Sequence, residues 1–143
     1  MDKKKILLVG VGNELRKDDA LGPEFVRRFD NKNLDKLCLD FPDIQIAEKI
    51  AQYDVVIFVD ASTSADECVI YELSEKSVSG ALSHGISCKD IFSFAKAMYN
   101  PKLVGFLIEI RGYDFDYGNQ ISQEAERNLK RAYELLKDLL ARL

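Results

Sequence analysis

The sequence predicts an α/β domain: a three-layer sandwich with a mixed, mainly parallel five-stranded twisted sheet and helices on both faces. Three observations carry that expectation. Strand-length apolar runs alternate with segments whose apolar residues recur at helical spacing, the order that builds βαβ units. The run Asp54-Val55-Val56-Ile57-Phe58-Val59-Asp60 is continuous, β-branched and apolar, as suits a central strand covered on both faces. The connection from Asp60 to Cys68 is too short for a helical crossover, so the strand at 67–73 should run antiparallel to its predecessor and make the sheet mixed.

Residues 4–10 form the first buried strand, which stops abruptly at Gly10 and Gly12. From Ala20 to Phe29, Leu21, Phe25, Val26 and Phe29 share one helical face, with Arg27 and Arg28 outside. Pro23 cannot sit deep in a helix without costing a hydrogen bond, so this one starts close to Asp19–Gly22. Asn31-Lys32-Asn33 closes it. Leu37-Cys38-Leu39 is a short strand ending at Asp40, Phe41-Pro42-Asp43 is a turn, and Ile44, Ala47, Ile50 and Ala51 mark a second amphipathic helix. Cys68–Leu73 is less apolar and belongs nearer a sheet edge. Ser87 and Asp90 have capping-box-like spacing and open a helix whose apolar face is Ile91, Phe94, Ala95 and Met98. Asn100-Pro101 breaks it. Leu103–Ile110 is the last strand and 111–119 an aromatic, acidic loop. Ser122 caps a long helix with Ala125, Leu129, Ala132, Leu136 and Leu139 inward. No repeat, linker or low-complexity tract interrupts residues 1–143, which read as one domain, able to bury roughly 70% of its unfolded surface.

Composition narrows the function classes. A hydrophobic fraction of 47% and a charged fraction of 31% are ordinary for a soluble globular protein. The net charge of −4 argues against a nucleic-acid surface, and the only basic run, Lys3-Lys4-Lys5, flanks a strand end. No stretch approaches the ~20 apolar residues of a membrane span. The apolar run after Lys5 meets Gly-Val-Gly-Asn rather than a small-residue cleavage site, so no secretory signal is expected. Cys38, Cys68 and Cys88 are scattered and odd in number. Cys38 and Cys68 lie in apolar runs and read as core residues, which makes a disulfide framework an unsuitable reading. The expectation is a cytoplasmic protein, a monomer, with neither nucleic acid nor membrane as partner.

In open α/β sheets, ligands gather beyond the carboxyl ends of the strands. Three polar side chains are expected on that rim: Asp19 (with Asp18) after strand one, Asp60 at the end of strand three, and His84 before a helix start. A right-handed crossover brings strands one and three to the same rim. Two carboxylates and an imidazole suit a divalent transition metal with open positions. Taken singly, Asp18 reads as a helix N-cap, Asp19 equally as a first-turn dipole partner or a ligand, and Asp60 as a turn residue or a functional one. The convergence of Asp19, Asp60 and His84 is what favours a site. A dinucleotide loop does not fit, since Leu15 stands where a third glycine is needed and a phosphate would face Asp18 and Asp19. No phosphate-binding GKS or GKT loop and no GxSxG elbow is present.

Two resemblances follow. An acidic pair after strand one and an aspartate ending strand three resemble phosphoacceptor receiver domains. Against them stand the long loop before the pair, Arg111 in the place of the family's lysine, and Ala61-Ser62-Thr63 in place of its Met-Pro turn. More closely, 10–23, with Gly10-Val11-Gly12-Asn13-Glu14-Leu15 and Asp18-Asp19-Ala20-Leu21-Gly22, resembles the opening motif of the hydrogenase maturation endopeptidases. Val56-Ile57-Phe58-Val59-Asp60-Ala61, Ser83-His84-Gly85 and Gly118-Asn119-Gln120-Ile121-Ser122 match further segments, so the resemblance runs nearly the whole chain.

It implies an α/β peptidase that removes the C-terminal extension of a nickel–iron hydrogenase large-subunit precursor already loaded with nickel. The implied catalytic and metal-contacting residues are Asp19, Asp60 and His84, the cation being nickel presented by the substrate. Each carboxylate is left open as ligand or proton-transfer group. Arg111 and the Tyr113–Tyr117 loop are open as substrate contacts or plain surface. A non-catalytic chaperone of the large subunit is a further alternative. Asp40-Phe41-Pro42-Asp43 stands where many members carry a D-G-G-T-x-G loop; loss of its glycines implies a narrower or differently shaped cleft.

Overall fold

The computed structural model describes residues 3–74 and 85–143. Its elements are β1 (Ile6–Val11), a 3-10 turn (Lys17–Ala20), α1 (Leu21–Arg28), β2 (Leu34–Leu39), a second 3-10 turn (Ile44–Ile46) leading into α2 (Ala47–Ile50), β3 (Val55–Ser62), β4 (Cys68–Glu72), α3 (Cys88–Met98), β5 (Val104–Arg111) and α4 (Gln123–Arg142). The five strands form one sheet in the order β2-β1-β3-β5-β4. β1 is parallel to both β2 and β3, β3 is parallel to β5, and β4 is antiparallel to β5. The mixed, mainly parallel α/β sheet of the sequence reading is therefore the observed one. β4 does run against β3, but it pairs with β5 and closes the edge.

Alternation along the strands feeds two cores. Leu8, Ile57, Val59, Ile108 and Ile110 pack with Phe25 and Val26 of α1 and with Ala125, Leu129, Ala132 and Leu136 of α4. Leu7, Val9, Val56, Phe58 and Leu107 pack on the other face with Ile50 of α2 and with Ile91, Phe92 and Ala95 of α3. The β3 run is fully buried from Val55 to Val59, as its composition requires. Ser122 accepts from the Ala125 N–H and caps α4, and Ser87 with Asp90 forms a reciprocal capping box on α3. No helix of the described residues is long and apolar enough to cross a membrane.

Several expectations are corrected. β2 is longer than Leu37–Leu39 and lies at one edge of the sheet with β4 at the other, so Cys38 on β2 is exposed and Cys68 on β4 half-buried; of the three cysteines only Cys88 belongs to the core. On α3 the inward aromatic is Phe92, whereas Phe94 is 40% and Met98 62% exposed. Gly105 of β5 explains this choice: a side chain there would collide with the Phe92 ring, which fills the space. β3 continues two residues past Asp60, to Ser62.

Candidate active site

The site begins with the way α1 is laid on β1. A Cβ at Gly22 would stand 2.4 Å from the Val59 carbonyl oxygen and 2.6 Å from that of Val11, and one at Gly10 would stand 2.5 Å from the Gly22 oxygen. Only glycines let helix and strand backbones approach this closely. A Cβ at Gly12 would fall 1.9 Å from the Asp19 carbonyl oxygen, so this glycine makes room for the backbone that carries Asp19. Asp19 is then fixed from both sides: its N–H donates to the Arg16 carbonyl at 2.9 Å, and its Oδ2 accepts the Asn13 N–H at 2.7 Å.

Asp18 does something other than cap a helix. The residue before α1 is Ala20, which provides no side-chain cap. Asp18 is instead fully buried and gathers four donors: the backbone N–H of Tyr113 (2.7 Å), Asp114 (3.0 Å) and Ser122 (2.8 Å), and the Ser122 hydroxyl (2.7 Å). An ionised carboxylate is acceptor-only, and four donors satisfy it without a cation. One buried side chain thus ties the opening loop to the loop after β5 and to the cap of α4. Lys17, at φ 40°, completes the join: its N–H donates to the Gly118 carbonyl at 3.0 Å and its Nζ pairs with Asp114 at 2.9 Å. Arg16 donates to the Phe115 carbonyl and covers the Tyr117 ring at 5.4 Å.

Asp60 reaches the same rim from β3, where it is the register partner of Val11 at the end of β1. Strand alternation puts it on the α2–α3 face with Val56 and Phe58. Its carboxyl is pushed up to about 7, chiefly by burial, with the charge of Asp19 second; the Ala61 backbone N–H pulls the other way, and the charge of Glu109 adds a smaller upward push. Burial also raises the Cys88 thiol at the start of α3, with Asp60 the next contributor. The fold therefore brings Asp19 and Asp60 within electrostatic reach of each other. His84, the third residue of the sequence reading, lies outside the described residues.

Among the described residues no group of three His, Cys, Asp or Glu side chains could hold a metal ion. Asp19 and Asp60 are chemically suited to a hard or borderline divalent cation, and together they supply only part of a coordination shell. Any further donors must come from outside the described residues or from the bound molecule.

The surroundings clarify other readings. Arg111 is committed to the Ala65 carbonyl (3.0 Å) and the Tyr113 ring (5.3 Å). Tyr113 and Tyr117 are exposed, as are Leu15 and Phe41. Two residues were not singled out from sequence. Glu109 is the register partner of Asp60 on β5, and Tyr71 of β4 donates its hydroxyl to Glu109 Oε1 at 3.0 Å. The available signal was a lone carboxylate within the apolar run Phe106-Leu107-Ile108-Glu109-Ile110.

No family model and no curated protein matches the chain in sequence. Solved structures do match it in shape. The [NiFe] hydrogenase maturation protease HycI from Thermococcus kodakarensis has 24% identity, a TM-score of 0.74, and a match covering 97% of this chain and 94% of that one. A hydrogenase 2 maturation peptidase from a Thaumarchaeota archaeon has 22% identity and a TM-score of 0.69 over 96% of this chain and 98% of the other. The hydrogenase maturating endopeptidase HybD from E. coli has 19% identity and a TM-score of 0.71 over 96% and 93%. Over nearly its whole length, this chain has the α/β fold of the hydrogenase maturation endopeptidases.

Proposed function

We propose that this chain is an endopeptidase that removes the C-terminal extension of a nickel-loaded nickel–iron hydrogenase large-subunit precursor, assisted by the metal that the precursor carries. The observation that carries this reading is the pairing of Asp19 and Asp60: two carboxylates on one rim, the first from the 3-10 turn after β1 and the second from β3, where burial makes it resist ionisation. Mutual repulsion makes such a pair receptive to a cation. The shared fold and the opening motif Gly10–Gly22 support the choice of substrate.

In this mechanism nickel is part of the substrate, and it supplies Lewis acidity near the scissile carbonyl. Asp19, locked by Asn13 and the Arg16 carbonyl, contributes a fixed oxygen. Asp60, with its affinity for a proton near neutrality, is matched to taking a proton from water and delivering it to the leaving amine. His84 is assigned to the same site on the resemblance of Ser83-His84-Gly85. The receiver reading is disfavoured by Arg111, whose guanidinium is held by Ala65 and Tyr113.

The test is mass spectrometry of a nickel-loaded precursor incubated with the protein. Loss of the C-terminal extension is expected with the wild type, and Asp19→Asn or Asp60→Asn should each slow it by at least about a hundredfold with the fold intact. A precursor of unchanged mass in tight complex would instead identify a chaperone. Phosphorylation of Asp60 by acetyl phosphate would identify a receiver.

A further inference from the structure

On the α2–α3 face of the sheet, Asp60 of β3 and Glu109 of β5 are register partners, so their side chains leave the same face of strands about 4.8 Å apart. Tyr71 lies on the edge strand opposite Leu107, one alternation from Glu109, and reaches it diagonally through the 3.0 Å hydroxyl–carboxylate bond. Lys89 of α3 stands over the Tyr71 ring at 5.4 Å. Neither Glu109 nor Tyr71 has a part in the Asp19–Asp60–His84 reading.

Structure alone gives Glu109 little reason to be a carboxylate. Its chain neighbours Ile108 and Ile110 are buried core, and among the described residues no ion pair reaches it. The residue facing it across the ladder is Asp60, and like charges directly opposite one another destabilise a sheet. A half-buried carboxylate held at that cost beside Asp60 points to binding rather than to stability. A carboxylate only accepts hydrogen bonds, and Tyr71 occupies one oxygen, so the expected occupant is a donor. A polypeptide in extended form offers backbone N–H groups at regular intervals along its edge.

We propose that Glu109 is a substrate-binding residue, held by Tyr71 as its positioning residue, and that it accepts a backbone N–H of the peptide lying across Asp19 and Asp60. It thereby fixes which peptide bond rests over the two carboxylates. This rests on the endopeptidase reading above.

The test measures affinity for the nickel-loaded precursor by surface plasmon resonance, alongside trimming by mass spectrometry and the melting temperature of each variant. Glu109→Ala should weaken binding about tenfold, since a hydrogen bond to a charged group is lost. Glu109→Gln, which keeps an acceptor but loses charge assistance, should weaken it only about threefold. Tyr71→Phe should also cost about threefold, and the double variant Tyr71→Phe/Glu109→Ala should bind no more weakly than Glu109→Ala alone, because Tyr71 acts through Glu109. The melting temperature of Glu109→Ala should not fall. Wild-type affinity in Glu109→Ala, multiplying losses in the double variant, or a loss that tracks a lowered melting temperature would overturn the proposal. If the wild type binds the precursor without trimming it, the endopeptidase reading falls while these affinities still decide the role of Glu109. If it does not bind, both fall.

Discussion

Asp18 and Asp19 are neighbours in sequence and opposites in environment. Asp18 is buried under four donors and serves as a structural tie. Asp19 is half-buried, and among the described residues the one hydrogen bond to its side chain comes from Asn13. Asp60, which shares the rim with Asp19, is a carboxylate whose chemistry burial alters. Its carboxyl is pushed up to about 7, whereas an unfolded chain titrates near 3.9. The folded state thus holds this proton more tightly, and the stability that Asp60 contributes is whole below about pH 4 and lost as pH rises through about 7. Asp60→Asn removes that dependence. Relative to wild type, the variant should gain on the order of 2–4 kcal/mol between pH 4 and pH 8, read from urea midpoints; parallel pH profiles for the two proteins would contradict the burial argument. Asp19 and Asp60 were legible in the sequence because each follows a strand-like run on the rim where α/β sheets bind ligands. The role of Asp18 was not, because its partners lie about a hundred residues away and a cap and a tie look alike locally. Glu109 was visible as an odd residue in a core strand, but its meaning depends on the register with β3 and β4.

At the scale of elements, local signals read well and phases set by packing read poorly. The capping box of α3 and the Ser122 cap of α4 depend on residues three apart, so the chain declares them directly. The inward face of α3 depends on Gly105, a residue on another strand that leaves room for Phe92, and no helical periodicity contains that information. The pairing of β4 with β5 rather than β3 is likewise a non-local outcome. The α1–β1 contact gives a sharp test. Intrinsic propensity favours alanine over glycine in a helix by about 1 kcal/mol, so an isolated helix would gain from Gly22→Ala. Here the new Cβ would meet the Val59 oxygen and the Val11 backbone, none of which is a flexible side-chain end. Gly22→Ala should therefore destabilise the protein by about 2–3 kcal/mol, measured by thermal or urea unfolding. Because α1 continues directly from Lys17–Ala20, the same shift should displace Asp19 and reduce precursor trimming. A stabilised variant would mean that the helix does not sit this close to the sheet.

The whole molecule is two hydrophobic cores separated by one sheet, and the question at this scale is whether they are one cooperative unit. β1 and β3 answer it by alternation: Leu7 and Val9 face the α2–α3 core while Leu8 faces the α1–α4 core, and Val56 and Phe58 oppose Ile57 and Val59 in the same way. Neither core can dissolve without stripping one face from the strands that build the other. The candidate site inherits this sharing, since Asp19 leads into α1 on one face while Asp60 points toward α3 on the other. The tie through Asp18 to Ser122 then joins the rim to α4. Ile91→Ala and Leu136→Ala empty space in different cores, both from fully buried positions. Each should cost about 2–5 kcal/mol, and with the sheet between them the two costs should add to within about 0.5 kcal/mol. Unfolding followed by far-ultraviolet and by tyrosine near-ultraviolet circular dichroism should give coincident transitions in both variants. Two separable transitions, with each variant moving only one, would show that the layers melt independently. In that case the rim would be assembled from two units rather than held by one.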